Sequence, residues 1–200
     1  MKFIFFMLPL LLMSCGPKNH FPVNKASPAE SAELNAAILK IQADFDREGI
    51  NIDLRRARYV VNDLPNARGM CYGVPHRLVG IAIDHDTIAD QGVEGYILPL
   101  HATLLHEIGH CFFDRDHEFD TFAPGEQRYY EVRDIGRTDG HPSSALELWP
   151  TIMAGRSRGD IPAALWRYYV RETAGLERAH SVQEFRSFAR IEERDIQIGD

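Results

Sequence analysis

Long apolar runs are scarce in this 200-residue chain. The only one, Phe3 to Met13, is eleven residues long, roughly 16 Å of helix against roughly 30 Å of bilayer hydrocarbon. Pro9 weakens even that helix, so no stretch has spanning length. Cations are few as well: 22 Lys and Arg face 29 Asp and Glu, a net charge of -7. That is the wrong sign for gripping phosphate backbones and excludes nucleic acid as the expected partner. Cysteine occurs only three times, and repeats and low-complexity tracts are absent. What remains is 44% apolar and 26% charged. That supplies one sizeable core rather than two and is too apolar for global disorder. A single folded domain, acting as a monomer, is the expectation.

Residues 1–15 read as an export signal: Lys2, the apolar run, then Leu12-Met13-Ser14-Cys15. That tetrad resembles the lipobox of bacterial lipoproteins, which implies cleavage before Cys15 and acylation of its sulfur. Several acyl chains together anchor a protein stably. The expectation is an exported protein tethered to a membrane through Cys15, the outer membrane if the cell is Gram-negative, since Gly16 follows the cysteine. The alternative is an ordinary cleaved secretory peptide. Residues 16–28 hold three prolines and no apolar period, the pattern of an extended tether, and the folded domain is expected over 29–200.

Within that domain, Leu34, Ala37, Ile38, Ile41 and Phe45 recur at three and four, predicting an amphipathic helix to Glu48. Ser27 or Ser31 is placed to cap it and Gly49 to end it. Three extended segments follow, about Ile50 to Val61, Gly69 to Val74 and Leu78 to Asp84. Gly95 to Phe113 returns to helical periodicity. Residues 114–150, with three glycines and three prolines, predict a long irregular segment. Ile161 to Leu176 and Val182 to Ile191 read as C-terminal helices, the first begun by Pro162. The class is α+β: a small mixed sheet packed on a central helix.

That central helix carries His106-Glu107-Ile108-Gly109-His110. Residues four apart on a helix differ by about 400° in phase, about 40° off one line, so both imidazoles reach a single ion. Glu107 stands about 100° away, beside the metal and not on it, where a carboxylate can take a proton from an activated water. Zn2+ suits such a donor set, because neutral imidazoles leave its charge available to acidify water. A surface pair of histidines is the bland alternative, but Leu104, Leu105, Ile108, Phe112 and Phe113 are too apolar for a solvated face. A catalytic zinc takes a third protein ligand. His117 is the nearest imidazole, and it can return to the metal only if the helix stops soon after Cys111 to Phe113.

This segment resembles the metzincins, zinc peptidases with His-Glu-x-x-His-x-x-Gly-x-x-His or Asp and a methionine-containing turn beneath the metal. Phe113 stands where that pattern has glycine, and Asp116 where it has the third ligand, with His117 one residue later. A group of bacterial lipoprotein-like metalloproteases is more similar: it has His-Glu-Leu-Gly-His-Cys, three residues, then Arg-x-His, matching His106 to Cys111, Arg115 and His117. The resemblance implies His117 as third ligand. Asp116 is the alternative ligand, or an acceptor that orients an imidazole. Trp149-Pro150-Thr151-Ile152-Met153, 43 residues after His110, looks like the Met-turn, with Met153 as an apolar floor; simple core filling is the other reading. The resemblance runs from about Arg68 to Glu172 and implies a metzincin-like zincin. Gly69 to Tyr72 and Val79 to Asp84 look like the strands before its active-site helix, and an edge strand there could align a peptide by strand addition.

With Cys15 assigned to lipid, Cys71 and Cys111 form an even pair in an oxidising compartment. A disulfide or two buried thiols are both open, while Cys111 as a nucleophile lacks an activating arrangement. His101 is five residues before His106 and points off the metal face, and the aspartates from Asp114 to Asp139 read as a solvated acidic loop. The function expected is endopeptidase hydrolysis of a peptide or protein substrate, with Zn2+ on His106, His110 and His117 and Glu107 as general base. Two rivals stand beside it: a gluzincin arrangement with Glu131 or Glu147 as third ligand, and a noncatalytic surface lipoprotein with a structural zinc.

Overall fold

The computed structural model describes residues 21–73, 79–92, 94–117, 130–132, 146–148, 151–153, 161–180, 184, 187 and 188. Cys15 and the whole export segment lie outside them. None of the described helices is long and apolar enough to cross a membrane.

Helix α1 spans Pro28–Arg47. Its start is fixed by a capping box: the Glu30 amide donates to Ser27 Oγ at 3.2 Å, and the Ser27 amide to Glu30 Oε2 at 2.8 Å. Of the two expected caps, the first is used. Leu34, Ala37, Ile38, Ile41 and Phe45 are buried, as their spacing requires. Gly49, with φ of +70°, turns the chain out of the helix.

The next stretch differs from expectation in its first half. Ile50 to Val61 is not one strand: Leu54–Arg56 is a 3-10 turn capped by Asp53, and Gln42 of α1 holds the approach by donating to Ile52 O and accepting from the Leu54 amide. Apolar residues there serve a turn pinned to α1, which periodicity alone cannot distinguish from a strand. Strand β1 is Arg58–Asn62, β2 is Gly69–Tyr72 and β3 is Gly80–Asp84. The sheet order is β1-β3-β2, with β1 parallel and β2 antiparallel to β3. The class is therefore α+β with a small mixed sheet, as read from the sequence.

Side chains alternate across this sheet. Ile81, Ile83 and Val61 enter the main core with α1 and the later helices, whereas Val60 and Ala82 face a smaller cluster with Leu64, Phe21 and Tyr72. Phe21 lies within the stretch assigned to a tether. Its ring meets Tyr72 edge-on at 5.4 Å, the Val61 amide donates to Asn24 Oδ1, and the Lys25 amide donates to Val61 O. The docked chain thus begins earlier than Ala29, because prolines that prevent helix do not prevent an extended segment from lying along a strand.

A short helix α2, His85–Ala89, capped by Asp84, follows β3 and has no periodic signature in the sequence. Helix α3, Pro99–Phe113, packs on β2 and β3 on one side and α1 and α4 on others. Two short antiparallel strands, β4 (Tyr130–Val132) and β5 (Leu146–Leu148), lie in the stretch expected to be irregular. Helix α4, Trp166–Thr173, is preceded by a 3-10 turn at Ala163–Leu165. Of the second C-terminal helix, residues 184, 187 and 188 are described and are helical, with the Phe188 ring tilted against Tyr168 at 5.0 Å.

Candidate metal centre

Helix α3 presents a different stripe to each neighbour, which follows from its 3.6-residue turn. Thr103, Glu107 and Cys111 face β2. A Cβ added at Gly69 would sit 2.7 Å from Thr103 Cγ2 and 2.8 Å from Glu107 Cγ, and Cys71, two residues on, is disulfide-bonded to Cys111. Of the two readings left open for these cysteines, the disulfide holds. On another flank, Gly109 makes room for Met153: an added Cβ would collide with its sulfur. Between those flanks stand His106 and His110.

The turn that brings in His117 is built at the helix end. Asp114 takes the left-handed conformation, φ +53°, and the amides of Asp114 and Arg115 both donate to Gly109 O. The chain doubles back within three residues. His117 Nε2 then lies 3.2 Å from His106 Nε2, and His110 Nε2 lies 3.1 Å from the same atom. All three donor nitrogens fall within 4.8 Å of one another. Two nitrogens bound to one tetrahedral zinc are roughly 3.3 Å apart, so the observed separations fit an ion of that size.

Hydrogen bonding sets the rings for this. Nδ1 of His106 faces Ile152 O at 2.7 Å, and Nδ1 of His110 faces Arg115 O. A carbonyl only accepts, so each Nδ1 carries a proton, and in the neutral form of each ring the Nε2 lone pair points inward. Lone pairs facing each other at 3.1 Å repel; a cation among them converts repulsion into ligation. His106, His110 and His117 together form a group that could hold a metal ion. Burial is graded: His106 is buried, His110 half-buried and His117 exposed. The centre therefore opens to solvent on the His117 side.

Glu107 is buried, 6% exposed, in the stripe beside β2. Asp116 is exposed and is not part of the histidine group. Met153, Ile152 and Thr151 are fully buried. Glu131 and Glu147 pair with each other in the register of β4 and β5; their side chains lie outside the described residues. His101 packs against Trp166 at 6.1 Å, away from the cluster, and burial lowers its pKa.

Sequence reasoning missed one part of the surroundings. Glu172 of α4 is 1% exposed, and its two oxygens accept from Arg115 Nη2 at 2.6 Å and from the Ile152 amide at 3.0 Å. Arg115 also donates to Glu172 O and to Thr151 Oγ1. The available signal was a carboxylate on the apolar stripe of a helix whose Tyr168, Tyr169 and Val170 are buried; a charge there demands a partner. Compared with known proteins, the chain matches no family model, no curated protein and no solved structure.

Proposed function

We propose that this protein is an exported zinc endopeptidase of metzincin type, anchored to a membrane through Cys15. The observation that carries the reading is the convergence of three imidazole nitrogens on one point, with Glu107 one residue from the first of them on the same helix. Bound by His106, His110 and His117, Zn2+ supplies a Lewis acid that acidifies water and polarises a carbonyl oxygen. Glu107 accepts the water's proton and later delivers it to the departing amine. Its side chain packs against Gly69 of β2, which fixes where the carboxylate stands. An extended peptide pairs with the edge of β2, the strand that lies over Glu107. The Cys71–Cys111 disulfide supports export, since such bonds persist outside the reducing cytoplasm.

Two observations favour catalysis by this set over the rivals. A structural zinc site is closed and needs no adjoining base, whereas this one opens at His117 and has Glu107 beside it. The place of His117, 3.2 Å from His106, favours a third imidazole over Glu131 or Glu147. The test is Glu107→Ala. It retains one zinc per chain by metal analysis and loses at least about a hundredfold in peptide cleavage, the range of a general base. Full cleavage by that variant rules out the assignment, and a zinc-loaded wild type that cuts nothing in a broad peptide library favours the noncatalytic lipoprotein.

A further inference from the structure

We propose that Arg115 and Glu172 are positioning residues of the metal centre, a pair that sets the direction of the His106 and His110 rings and holds the loop that carries His117. This rests on the reading of the histidine cluster as a zinc site. Two ligand rings trace to the pair by a short path, and the third ligand follows Arg115 in the chain. The Ile152 amide donates to Glu172 Oε2, and the carbonyl of Ile152 holds Nδ1 of His106. The Arg115 guanidinium donates to Glu172 Oε1, Glu172 O and Thr151 Oγ1, and the carbonyl of Arg115 holds Nδ1 of His110. His117 lies two residues beyond Arg115 on the same return of the chain. One carboxylate thereby joins α4 to the 151–153 turn and to the loop that carries the third ligand.

The chemistry demands a carboxylate at 172 and a guanidinium at 115. Both oxygens of Glu172 face donors, so an amide there must turn its own NH2 toward either the Ile152 amide or Arg115, and donor then opposes donor. Among the described residues Glu172 Oε1, Glu172 O and Thr151 Oγ1 accept from the planar Arg115 fork; a lysine has the charge but no such fork. The side chain of Glu172 is fully buried and that of Arg115 is 13% exposed, so water does not readily replace a lost bond.

The test compares Arg115→Lys and Glu172→Gln with wild type in zinc affinity and in the visible absorption of the Co2+-loaded protein, whose bands report the angles between ligands. Both variants are expected to bind zinc about 10- to 100-fold more weakly, as loss of groups that orient ligands does, and to show altered Co2+ bands. Ile41→Val, in the core of α1, lowers the melting temperature and leaves both readings unchanged, separating positioning from general stability. Should Glu172→Gln fail to fold, Arg115→Lys decides. Wild-type zinc affinity within about threefold together with a superimposable Co2+ spectrum in Arg115→Lys overturns the proposal. A wild type that takes up neither metal overturns both it and the zinc reading. Shifted bands in a protein that cleaves no peptide uphold the positioning role and defeat the peptidase reading alone.

Discussion

The two flanks of α3 are held by different chemistry. On the β2 side the tie is covalent, Cys71 to Cys111, and the packing brings Gly69 onto Glu107. Toward α4 it consists of hydrogen bonds, running through Arg115, Glu172 and the 151–153 turn to the two imidazoles. The difference suggests a division of labour. The β2 flank governs the carboxylate and the strand that would receive a peptide, and the α4 flank governs the histidines that could hold a metal ion. Breaking the disulfide is the most severe test of that division. The bond closes a separation of 40 residues, for which chain entropy alone gives about 4 kcal/mol. Cys71→Ser with Cys111→Ser should therefore lose about 2 to 4 kcal/mol in urea denaturation, while the molecules that remain folded keep wild-type zinc affinity. A drop in affinity as large as that of Arg115→Lys would show that the flanks are not independent.

Two glycines sharpen the same contrast with a single methyl group. At Gly69 the new Cβ meets Thr103 and the middle of the Glu107 side chain at under 3 Å, and the disulfide prevents β2 from retreating. Gly69→Ala should cost about 1 to 3 kcal/mol as overpacking and reduce peptide cleavage at least tenfold with zinc content intact. At Gly109 the methyl meets the sulfur of Met153, near the end of a side chain that can rearrange. Alanine also recovers about 1 kcal/mol of helix propensity there. Gly109→Ala should thus be milder, about 0 to 2 kcal/mol, and should disturb metal affinity before cleavage. Measuring both stability and zinc content in the two variants separates the flanks; the same pattern in each defeats the distinction.

Contacts close in sequence were legible before the structure. His106 and His110 are four apart on one helix, and the helix stop that frees His117 needed only a turn at residues 114 to 116. Burial of Leu34, Ala37, Ile38, Ile41 and Phe45 followed from period. Pairing of Glu172 with Arg115 spans 57 residues, and no local pattern encodes it. Nor could spacing choose between disulfide and thiols, which depends on β2 meeting the stripe of α3 that carries Cys111. The turn at Leu54–Arg56 is hidden because Ile50, Ile52 and Leu54 alternate with polar residues, a period-two pattern that a strand and a pinned turn share.

The smallest expected effect comes from a junction outside both flanks and serves as their control. His85 Nδ1 lies 2.6 Å from Glu30 Oε1, joining α2 to the capped start of α1. The hydrogen bond from His85, with help from the Ser27 amide, draws the Glu30 pKa down to about 2, and Glu30 in turn raises that of His85. The signs differ for the two partners. Glu30 contributes stability that is whole above its ordinary pKa of 4.5 and is lost as pH falls toward about 2. His85 contributes stability that is whole below its ordinary 6.5 and is lost as pH rises through the raised value. The pair is therefore strongest between those ordinary values. Melting temperatures of wild type and His85→Asn, measured against pH with chelator present, should differ most in that interval and converge at high pH. Zinc affinity should be the same in both proteins, because among the described residues no bond of this junction reaches His106, His110 or His117. A difference that instead grows with pH means that His85 is uncharged in its contact with Glu30, and the pair then stabilises α1 only as a neutral hydrogen bond.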